Sequence, residues 1–258
     1  MLTHISFDRA GVAAENDLEA ANREAQKRWP AFTEEIFRAI LKTRIGERNY
    51  KREFQEGRID TETYLNAALN IGTIPNTPDN RAFLYHVHTL YYTKPFYPIV
   101  DMNRQLQDQG IYTSVLSNAS VLSWYAEGSL INEVVDCAVA SFEIGVTKPD
   151  RRAYEILLER IGAPDPSTVL FVDDHRKNVE AAQELGMQGF HFDAEGRTMM
   201  DAYTDLCQYL QKQGIFIIPY QKPVLHKVEL PDGNTFEYLA KSDMTPDVVK
   251  RLFKNEFQ

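Results

Sequence analysis

One short apolar run lies at residues 2–7, and further runs alternate with helical stretches through 99–192; this alternation constrains the fold more than any other feature of the sequence. The runs are rich in β-branched and aromatic residues, which favour strands. They span 2–7, 112–116, 134–142, 169–172 and 189–192, and helical spacing covers 99–109, 121–127, 151–161 and 178–185. Strands that alternate with helices of about 10–15 residues are typical of parallel βαβ units. We therefore predict an α/β fold with a Rossmann-like, doubly wound parallel sheet.

A helical insert interrupts this pattern after the first strand. Residues 16–90 show helical spacing and no strand alternation. A helix is expected to begin at Asp60 or Thr61, with Tyr64, Ala68 and Leu69 on its inner face, and a further helix covers 81–92. We predict that residues 16–94 form a helical cap on a core made of 1–15 and 95–214, with hinges near 15–18 and 92–98.

The last segment, residues 215–258, is longer than the alternating domain needs. Two β-rich runs, 224–230 and 235–239, flank a sequence typical of a hairpin turn, Pro231, Asp232, Gly233 and Asn234. Thr245 and Pro246 then begin a predicted helix that runs toward Phe253. This extension could be an added subdomain, a surface for a protein partner or for self-association, or the edge of a larger assembly.

The net charge of the chain limits the classes of partner that it is expected to bind. The formal net charge is -9, which argues against a broad contact with nucleic acid or with anionic lipid. No apolar run approaches the roughly 18 residues of a membrane span, and no leader pattern opens the sequence, so we expect a cytoplasmic protein with no membrane partner. A small anionic substrate remains compatible with this charge, because a local metal ion or donor cluster can override it.

Polar residues follow three of the predicted strands at the point where each strand ends. They are Asp8, the pair Ser117 and Asn118, and the pair Asp173 and Asp174. In an open parallel sheet, ligands bind outside the carboxyl ends of the strands, so these side chains are expected to converge on one crevice. A lone aspartate at a strand end is more often a helix cap.

A lysine in a loop before a predicted helix joins these residues. Lys148 is followed by Pro149, which restricts the backbone, and preceded by Gly145, which permits a tight approach. A single lysine in such a place is usually a solvated surface charge. Here the loop is more elaborate than a surface charge requires, and we predict that Lys148 belongs to the same site.

Four segments resemble the four motifs of the haloacid dehalogenase superfamily, in the same order along the chain. They are residues 6–12, 115–118, 145–150 and 170–178, and the resemblance covers roughly residues 2–195. The last two segments are the specific ones. Helical sequence between the first two motifs lies where this superfamily inserts its smaller type of cap.

The resemblance implies a role for each site residue. Asp8 would attack the phosphorus atom of a small phosphorylated substrate and form an aspartyl-phosphate. Lys148, Ser117 and Asn118 would bind or position the phosphate, with Lys148 and Ser117 counted as catalytic. The resemblance also implies a Mg²⁺ site, formed by Asp8, the backbone carbonyl of Ala10 and Asp174. Asp173 would bind a water molecule that is coordinated to the ion.

The sequence departs from the superfamily pattern at Ala10. Phosphatases that it resembles usually carry an aspartate two residues after the nucleophile, which protonates the leaving group and later activates water. A methyl group cannot do this, and the loss is expected to slow ester hydrolysis by about 10²–10⁴-fold. Three readings follow: a phosphatase whose acid–base group comes from elsewhere, a catalytically reduced binding or regulatory protein, or a phosphonatase-like C–P hydrolase.

The cap carries a cluster of basic residues, Arg44, Arg48, Lys51 and Arg52. They could grip the remote end of the substrate or cover its phosphate. They could equally form a solvated helix face, paired with Glu47 and Glu53. The phosphonatase-like reading would use Lys51 for a Schiff base, although the local spacing there does not match that branch.

Overall fold

The computed structural model describes residues 1–92, 94–126, 130–229 and 235–240. The strands are β1 (His4–Phe7), β2 (Ala14–Glu15), β3 (Arg44–Ile45), β4 (Arg48–Asn49), β5 (Lys94–Pro95), β6 (Tyr112–Ser117), β7 (Cys137–Ala140), β8 (Val169–Asp173), β9 (Gln188–His191), β10 (Val224–Glu229) and β11 (Thr235–Ala240). The helices are α1 (Leu18–Arg28), α2 (Glu34–Lys42), α3 (Tyr50–Gln55), α4 (Thr61–Ile71), α5 (Pro78–Tyr91), α6 (Tyr97–Asp108), α7 (Val121–Trp124), α8 (Ile131–Val134), α9 (Ser141–Ile144), α10 (Arg151–Arg160), α11 (Arg176–Glu184) and α12 (Met199–Lys212).

A five-stranded parallel sheet forms the centre of the protein, in the order β7-β6-β1-β8-β9. Strand β8 lies inside the sheet and all five of its residues are buried, as expected for a strand covered on both faces. The chain builds the sheet outward from β1 in one direction through β6 and β7, and then in the other through β8 and β9. The predicted Rossmann-like parallel fold is confirmed, and its strand order reverses at β1.

Helices α1 to α5 pack around a hydrophobic core of their own. The helices and their loops contribute twelve buried side chains to it: Ala21, Ala25, Phe32, Phe37, Ile40, Phe54, Tyr64, Leu65, Ala68, Leu69, Leu84 and Val87. One further residue, Leu122, comes from α7, which follows the core strand β6. The expected inner face of α4 is buried, and Asp60 caps this helix by accepting from the backbone N–H of Thr63. We refer to residues 16–94 as the cap.

Two details of the cap differ from the sequence prediction. Helix α5 begins at Pro78, three residues before the predicted start at Arg81, because Thr77 caps it and proline fits the first helical position. The strands β3 and β4 also form a two-residue antiparallel hairpin inside the cap, where no strand was expected.

The two connections between cap and core lie side by side. Strands β2 and β5 pair antiparallel, with Ala14 opposite Pro95 and Glu15 opposite Lys94. The side chains of Glu15 and Lys94 form an ion pair, and the backbone N–H of Phe96 donates to the carbonyl of Ala13 at 2.9 Å. One short ribbon therefore joins the two segments predicted as hinges, at Glu15 and Lys94, and the hinge motion itself stays a prediction.

Around β7 the predicted strand over 134–142 is too long. Only Cys137–Ala140 are extended, and the short helices α8 and α9 flank them. Side chains from elsewhere hold this region: the amides of Asn103 and Gln107 both donate to the carbonyl of Val134. Such long-range contacts override the local preference for strand.

The first compact unit of the chain comprises Met1–Ile218, and the second begins at Pro219. In the first unit, the side chain of Gln109 donates to the carbonyl of Phe216 at 2.9 Å, and that of Gln105 donates to the carbonyl of Ile218 at 3.1 Å. These amides hold residues 216–218 along α6.

In the second unit β10 and β11 pair antiparallel, from Val224 opposite Ala240 to Glu229 opposite Thr235. The predicted turn at 231–234 and the predicted helix from Thr245 lie outside the described residues, and the role of 215–258 in binding a partner stays a prediction. Among the helices that the structure describes, none is long and apolar enough to cross a bilayer.

Candidate active site

The polar strand ends meet at the point where the strand order reverses. Asp8 follows β1, Ser117 ends β6 on one side of it, and Asp173 ends β8 on the other. A cleft of about 1080 Å³ opens there between core and cap. Its walls include all but one of the residues predicted for the site, namely Asp8, Ala10, Ser117, Asn118, Lys148 and Asp174. Asp173 is fully buried behind them.

The ammonium group of Lys148 bridges two carboxylates. Its Nζ lies 2.8 Å from Oδ1 of Asp8 and 2.6 Å from Oδ2 of Asp173. The side chains of Lys148 and Asp173 are almost fully buried, so this is an interior ion pair and not a surface one. Burial alone would lower the pKa of Lys148, but Asp173 and Asp8 outweigh it and hold the pKa above its ordinary value.

The carboxylate of Asp173 accepts hydrogen bonds from several protein groups. Besides Lys148, its oxygens accept from the side-chain amide of Asn178 at 2.9 and 3.1 Å and from the backbone N–H of His175 at 2.8 Å. A carboxylate that is buried and held on all sides is suited to orienting its neighbours.

The loop that carries Lys148 is held by the loop after β6. The backbone N–H of Lys148 donates to Oδ1 of Asn118 at 2.7 Å, and Nδ2 of Asn118 donates to the carbonyl of Lys148 at 2.8 Å. The peptide bond between Lys148 and Pro149 is cis. Asn118 thus supports the lysine loop through its side chain and lines the cleft at the same time.

The surroundings of Asp8 change the pKa of its carboxyl group. Burial raises the pKa of its carboxyl to about 7, Lys148 opposes this, and the nearby carboxylates of Asp173 and Asp174 add to the rise. The buried ammonium group of Lys148 contacts two of these three carboxylates, and Arg9 is a second buried cation that interacts with Asp8. The site has an excess of negative charge that a further cation would offset.

Gly11 allows Asp174 to lie against the loop after β1. Its φ is +88°, and a Cβ atom built on it would lie 2.5 Å from Oδ2 of Asp174. Any side chain at this position would displace that carboxylate. On its other side, Oδ1 of Asp174 lies 2.9 Å from Nδ1 of His175. The carboxylates of Asp8 and Asp174 and the carbonyl of Ala10 are hard oxygen donors, and this donor set fits Mg²⁺.

Arg9 is a site neighbour that the sequence analysis missed. It is 2% exposed, its guanidinium donates to the backbone carbonyl of Ser123, and it lies 5.8 Å from the ring centroids of both Tyr92 and Trp124. An arginine directly after Asp8, within a largely apolar segment, was the available signal. It attaches the loop after β1 to the first helix after β6 and to the end of the cap.

The cap reaches the site through α3. Nε2 of Gln55 donates to the backbone carbonyl of Asn118 at 2.7 Å, and the hydroxyl of Ser141 donates to the carbonyl of Gln55 at 2.6 Å. One residue further, Glu56 accepts from the hydroxyl of Thr147 at 3.0 Å. The end of α3 is therefore held over the strand ends by three hydrogen bonds to the core.

The basic cluster of the cap divides into two kinds of residue. Arg48 pairs with Glu53 at 2.8 Å and Arg52 with Glu56 at 2.7 Å, while Arg44 is exposed. The solvated face was expected to pair with Glu47 and Glu53. Glu53 does pair with Arg48, but the partner of Arg52 is Glu56 and not Glu47. Only Lys51 of the four borders the cleft that contains Asp8.

The strand order of the parallel sheet reverses at β1, and the buried carboxylates and lysine lie at that point, at the carboxyl ends of the strands. This arrangement is typical of Rossmann-like α/β enzymes, whose sites lie at the switch in strand order. A family model described as haloacid dehalogenase-like hydrolase matches residues 3–186. The chain belongs to this hydrolase family, which confirms the resemblance found in the sequence.

Phosphatases are among the relatives of this chain. It is 34% identical over 101 residues to Phosphatase MT3486 of Mycobacterium tuberculosis, a match that covers 38% of this chain and 46% of that protein. It is 26% identical over 151 residues to the sesquiterpene phosphatase astK of Aspergillus oryzae, covering 58% of this chain and 75% of that one. The chain thus spans less than half of the first relative and three quarters of the second.

Solved structures share the fold. A haloacid dehalogenase family enzyme of Bacteroides thetaiotaomicron, solved in complex with magnesium and inorganic phosphate, superimposes with a TM-score of 0.58 at 18% identity. The match covers 74% of this chain and 94% of that one. At this level of identity the likeness shows the fold alone.

Proposed function

We propose that this hydrolase is a Mg²⁺-dependent phosphatase that acts on a small phosphorylated metabolite through an aspartyl-phosphate at Asp8. The observation that carries the proposal is the carboxylate of Asp8, which faces the cleft while the buried ammonium of Lys148 lies 2.8 Å from one of its oxygens. A nucleophile and a fixed positive charge are the two parts that phosphoryl transfer needs first.

In this proposal the carboxylate of Asp8 attacks phosphorus, the bond to the ester oxygen breaks, and the leaving group departs as an alkoxide or phenolate that takes a proton from water. Water then attacks the phosphorus of the aspartyl-phosphate, releasing inorganic phosphate and the free carboxylate. Lys148 keeps Asp8 oriented and offsets negative charge on the transferred group, and Asp173 holds Lys148. Ser117, which lines the cleft at the end of β6, would bind a phosphoryl oxygen, and Asn118 positions the lysine loop.

Asp8, the carbonyl of Ala10 and Asp174 would hold Mg²⁺. Bound there, the cation would neutralise negative charge on the phosphoryl group. The resemblance also implied a coordinated water on Asp173. Because that carboxylate is buried and already accepts from Lys148, Asn178 and the N–H of His175, we propose that it acts by orienting Lys148.

The side chain at position 10 determines which leaving groups this site favours. Ala10 borders the cleft, and its methyl group provides no proton for a departing alkoxide. Esters whose leaving group is already a weak base, such as aryl phosphates, need no such proton. We therefore expect aryl phosphates to be turned over much faster than alkyl phosphates of similar size.

The proposal is tested by hydrolysis of p-nitrophenyl phosphate with and without Mg²⁺. The wild-type protein should show Mg²⁺-dependent turnover, and Asp8→Asn should lower kcat by about 10³-fold or more because the nucleophile is lost. Asp205→Asn, which alters a surface carboxylate paired with Arg197, is the matched control and should leave kcat unchanged. Acid quenching during turnover should trap a hydroxylamine-sensitive phosphoenzyme that Asp8→Asn does not form.

Two other readings are outcomes of the same assay. Ala10 favours a catalytically reduced protein that binds a phosphorylated ligand, and that reading prevails if neither aryl nor sugar phosphates are hydrolysed while Mg²⁺ still binds. The phosphonatase-like reading needs a lysine facing Asp8, and Lys51 borders the same cleft. It prevails if borohydride reduction in the presence of phosphonoacetaldehyde links the substrate to Lys51.

A further inference from the structure

Lys51 is a half-buried lysine in the wall of the cleft. Among the residues that the structure describes, no carboxylate forms an ion pair with it, whereas Arg48 and Arg52 of the same segment are both paired. Burial lowers the pKa of Lys51, and the nearby Lys42 lowers it further. An ammonium group placed in this way gains most from an anion that enters the cleft.

The position of Lys51 relative to the strand ends follows from α3. Lys51 and Gln55 are four residues apart, so they lie on the same face of the helix, about 6 Å apart along its axis. Gln55 donates to the carbonyl of Asn118, which in turn holds the Lys148 loop. Lys51 therefore lies one helical turn along α3 from the residue that contacts the loop after β6.

The cleft wall beside Lys51 is apolar and aromatic. Leu41, Tyr91 and Tyr92 border the cleft with it, and the neighbouring imidazole of His88 is buried, with a pKa that burial lowers to about 4. At neutral pH His88 is therefore uncharged and does not neutralise the lysine or compete for an anion. Of the described cap residues that border the cleft, Lys51 alone is charged, and the nearby guanidinium of Arg9 belongs to the core, where it packs against Tyr92 and donates to the carbonyl of Ser123.

We infer that Lys51 binds a second anionic group of the substrate, remote from the phosphoryl group that reacts at Asp8. The substrate class is then a phosphate ester that carries a carboxylate or a second phosphate at its far end, with a short chain between the two. This inference rests on the proposed function for the location of the phosphoryl group, and it adds the substrate class to it.

The test measures binding and needs no turnover. Calorimetry with the full chain and Mg²⁺ compares ω-carboxyalkylphosphonates with plain alkylphosphonates of matched length, over about two to six carbons, which brackets the helical rise of about 6 Å. At the best length the carboxylate should tighten Kd by about tenfold or more, as expected for a charge-assisted contact. α,ω-Bisphosphonates, run in parallel, show whether a terminal phosphate is preferred to a carboxylate.

Variants separate Lys51 from its surroundings. Lys51→Met should bring the ratio of the two Kd values to about one, and Lys51→Arg should retain most of it, because the charge is kept. Arg44→Met, which removes an exposed cation of the same segment, should leave the ratio unchanged.

Two results would overturn the inference: an equal affinity for both series in the wild-type protein at every length, or a preference that survives Lys51→Met. If Lys51 instead contacts the phosphoryl group, Lys51→Met weakens both series equally and the ratio stays as it was, which also counts against it. Failure of phosphatase activity would leave these binding ratios measurable, so the two proposals fail separately.

Discussion

At the scale of single residues, the site is defined by a buried lysine and the two carboxylates that it contacts. The ammonium of Lys148 contacts both Asp8 and Asp173, and the burial that strengthens these contacts also raises the pKa of Asp8 to about 7. Removing such a buried lysine would leave two carboxylates unpaired in a low-dielectric setting. Binding of a divalent cation is therefore expected to be tighter above pH 7 than below it, because the cation competes with the proton on Asp8.

Ala10→Asp should supply the proton donor that the wild-type side chain lacks. The methyl group of Ala10 borders the cleft, so a carboxyl group at this position has room to face the substrate. We expect kcat/KM for an alkyl phosphate to rise by about tenfold or more, since general acid catalysis typically contributes 10²–10⁴-fold. Initial rates on an alkyl and an aryl phosphate, measured side by side, provide the readout.

The aryl phosphate is the internal control for this variant, because its leaving group gains little from a proton donor. Ala10→Asn offers a side chain of the same shape without an ionisable proton and should not reproduce the gain. Equal stimulation by both variants would mean that shape, and not proton donation, limits the wild-type protein.

At the scale of elements, helix α3 connects the cap to the loop after β6 and to the loop that carries Lys148. Its contacts through Gln55 and Glu56 join residues that are 63 and 91 positions apart in the chain. No local pattern indicates such pairs, because each partner is an ordinary polar residue in its own segment. By contrast, the start of α4 at Asp60 was predictable, since a capping aspartate acts on the backbone three residues away.

The cap should also be sensitive to acid through His88. This side chain is 3% exposed, packs against Phe37 and Tyr64, and has a pKa that burial lowers from 6.5 to about 4. The folded state therefore binds fewer protons than the unfolded chain between these values, so stability is lost as pH falls from 6.5 toward 4. The loss should amount to about 3 kcal/mol.

Urea unfolding at pH 7 and at pH 4.5 measures this effect as a change in the free energy of unfolding. His88→Phe, which keeps an aromatic ring at the position, should remove most of the difference between the two pH values. His86→Gln alters a more exposed histidine on the same helix and should retain it. A steep acid loss that persists in His88→Phe would assign the sensitivity to other groups.

For the molecule as a whole, the sequence predicted the parallel sheet and the position of the cleft well. It predicted the first and last residues of short helices and strands less well. Polar residues at the ends of β1, β6 and β8 were enough to predict one crevice, because parallel strands present their carboxyl ends at one edge. Helices of four residues around β7 were not predictable, since long-range side-chain contacts hold them. Arg9 was overlooked because its partners are remote in sequence.

The chain divides into two compact units after Ile218. A chain that ends at Ile218 contains the first compact unit entire, with the cleft and both of its walls. We expect it to fold and to retain kcat/KM for p-nitrophenyl phosphate within about twofold, as expected when the removed part is a separate unit. Loss of turnover in a folded protein would show that residues 219–258 contribute to the site.

A chain that ends at Gly214 is the matched comparison. It also lacks Ile215, which is 6% exposed, and the segment that the amides of Gln105 and Gln109 hold along α6. This shorter protein should be less stable by about 2 kcal/mol, measured by urea unfolding, because an apolar side chain and several hydrogen bonds are lost.

The ribbon formed by β2 and β5 has a consequence for how this protein could be altered. The polypeptide leaves the core at Ala14 and returns at Pro95, and these residues are direct neighbours across the ribbon. Paired strands lie about 5 Å apart, so the entry and exit points do not depend on what is inserted between them. A replacement for 16–94 would therefore meet the core at the same two points, and it would also have to replace the core contacts that Gln55 and Glu56 now make.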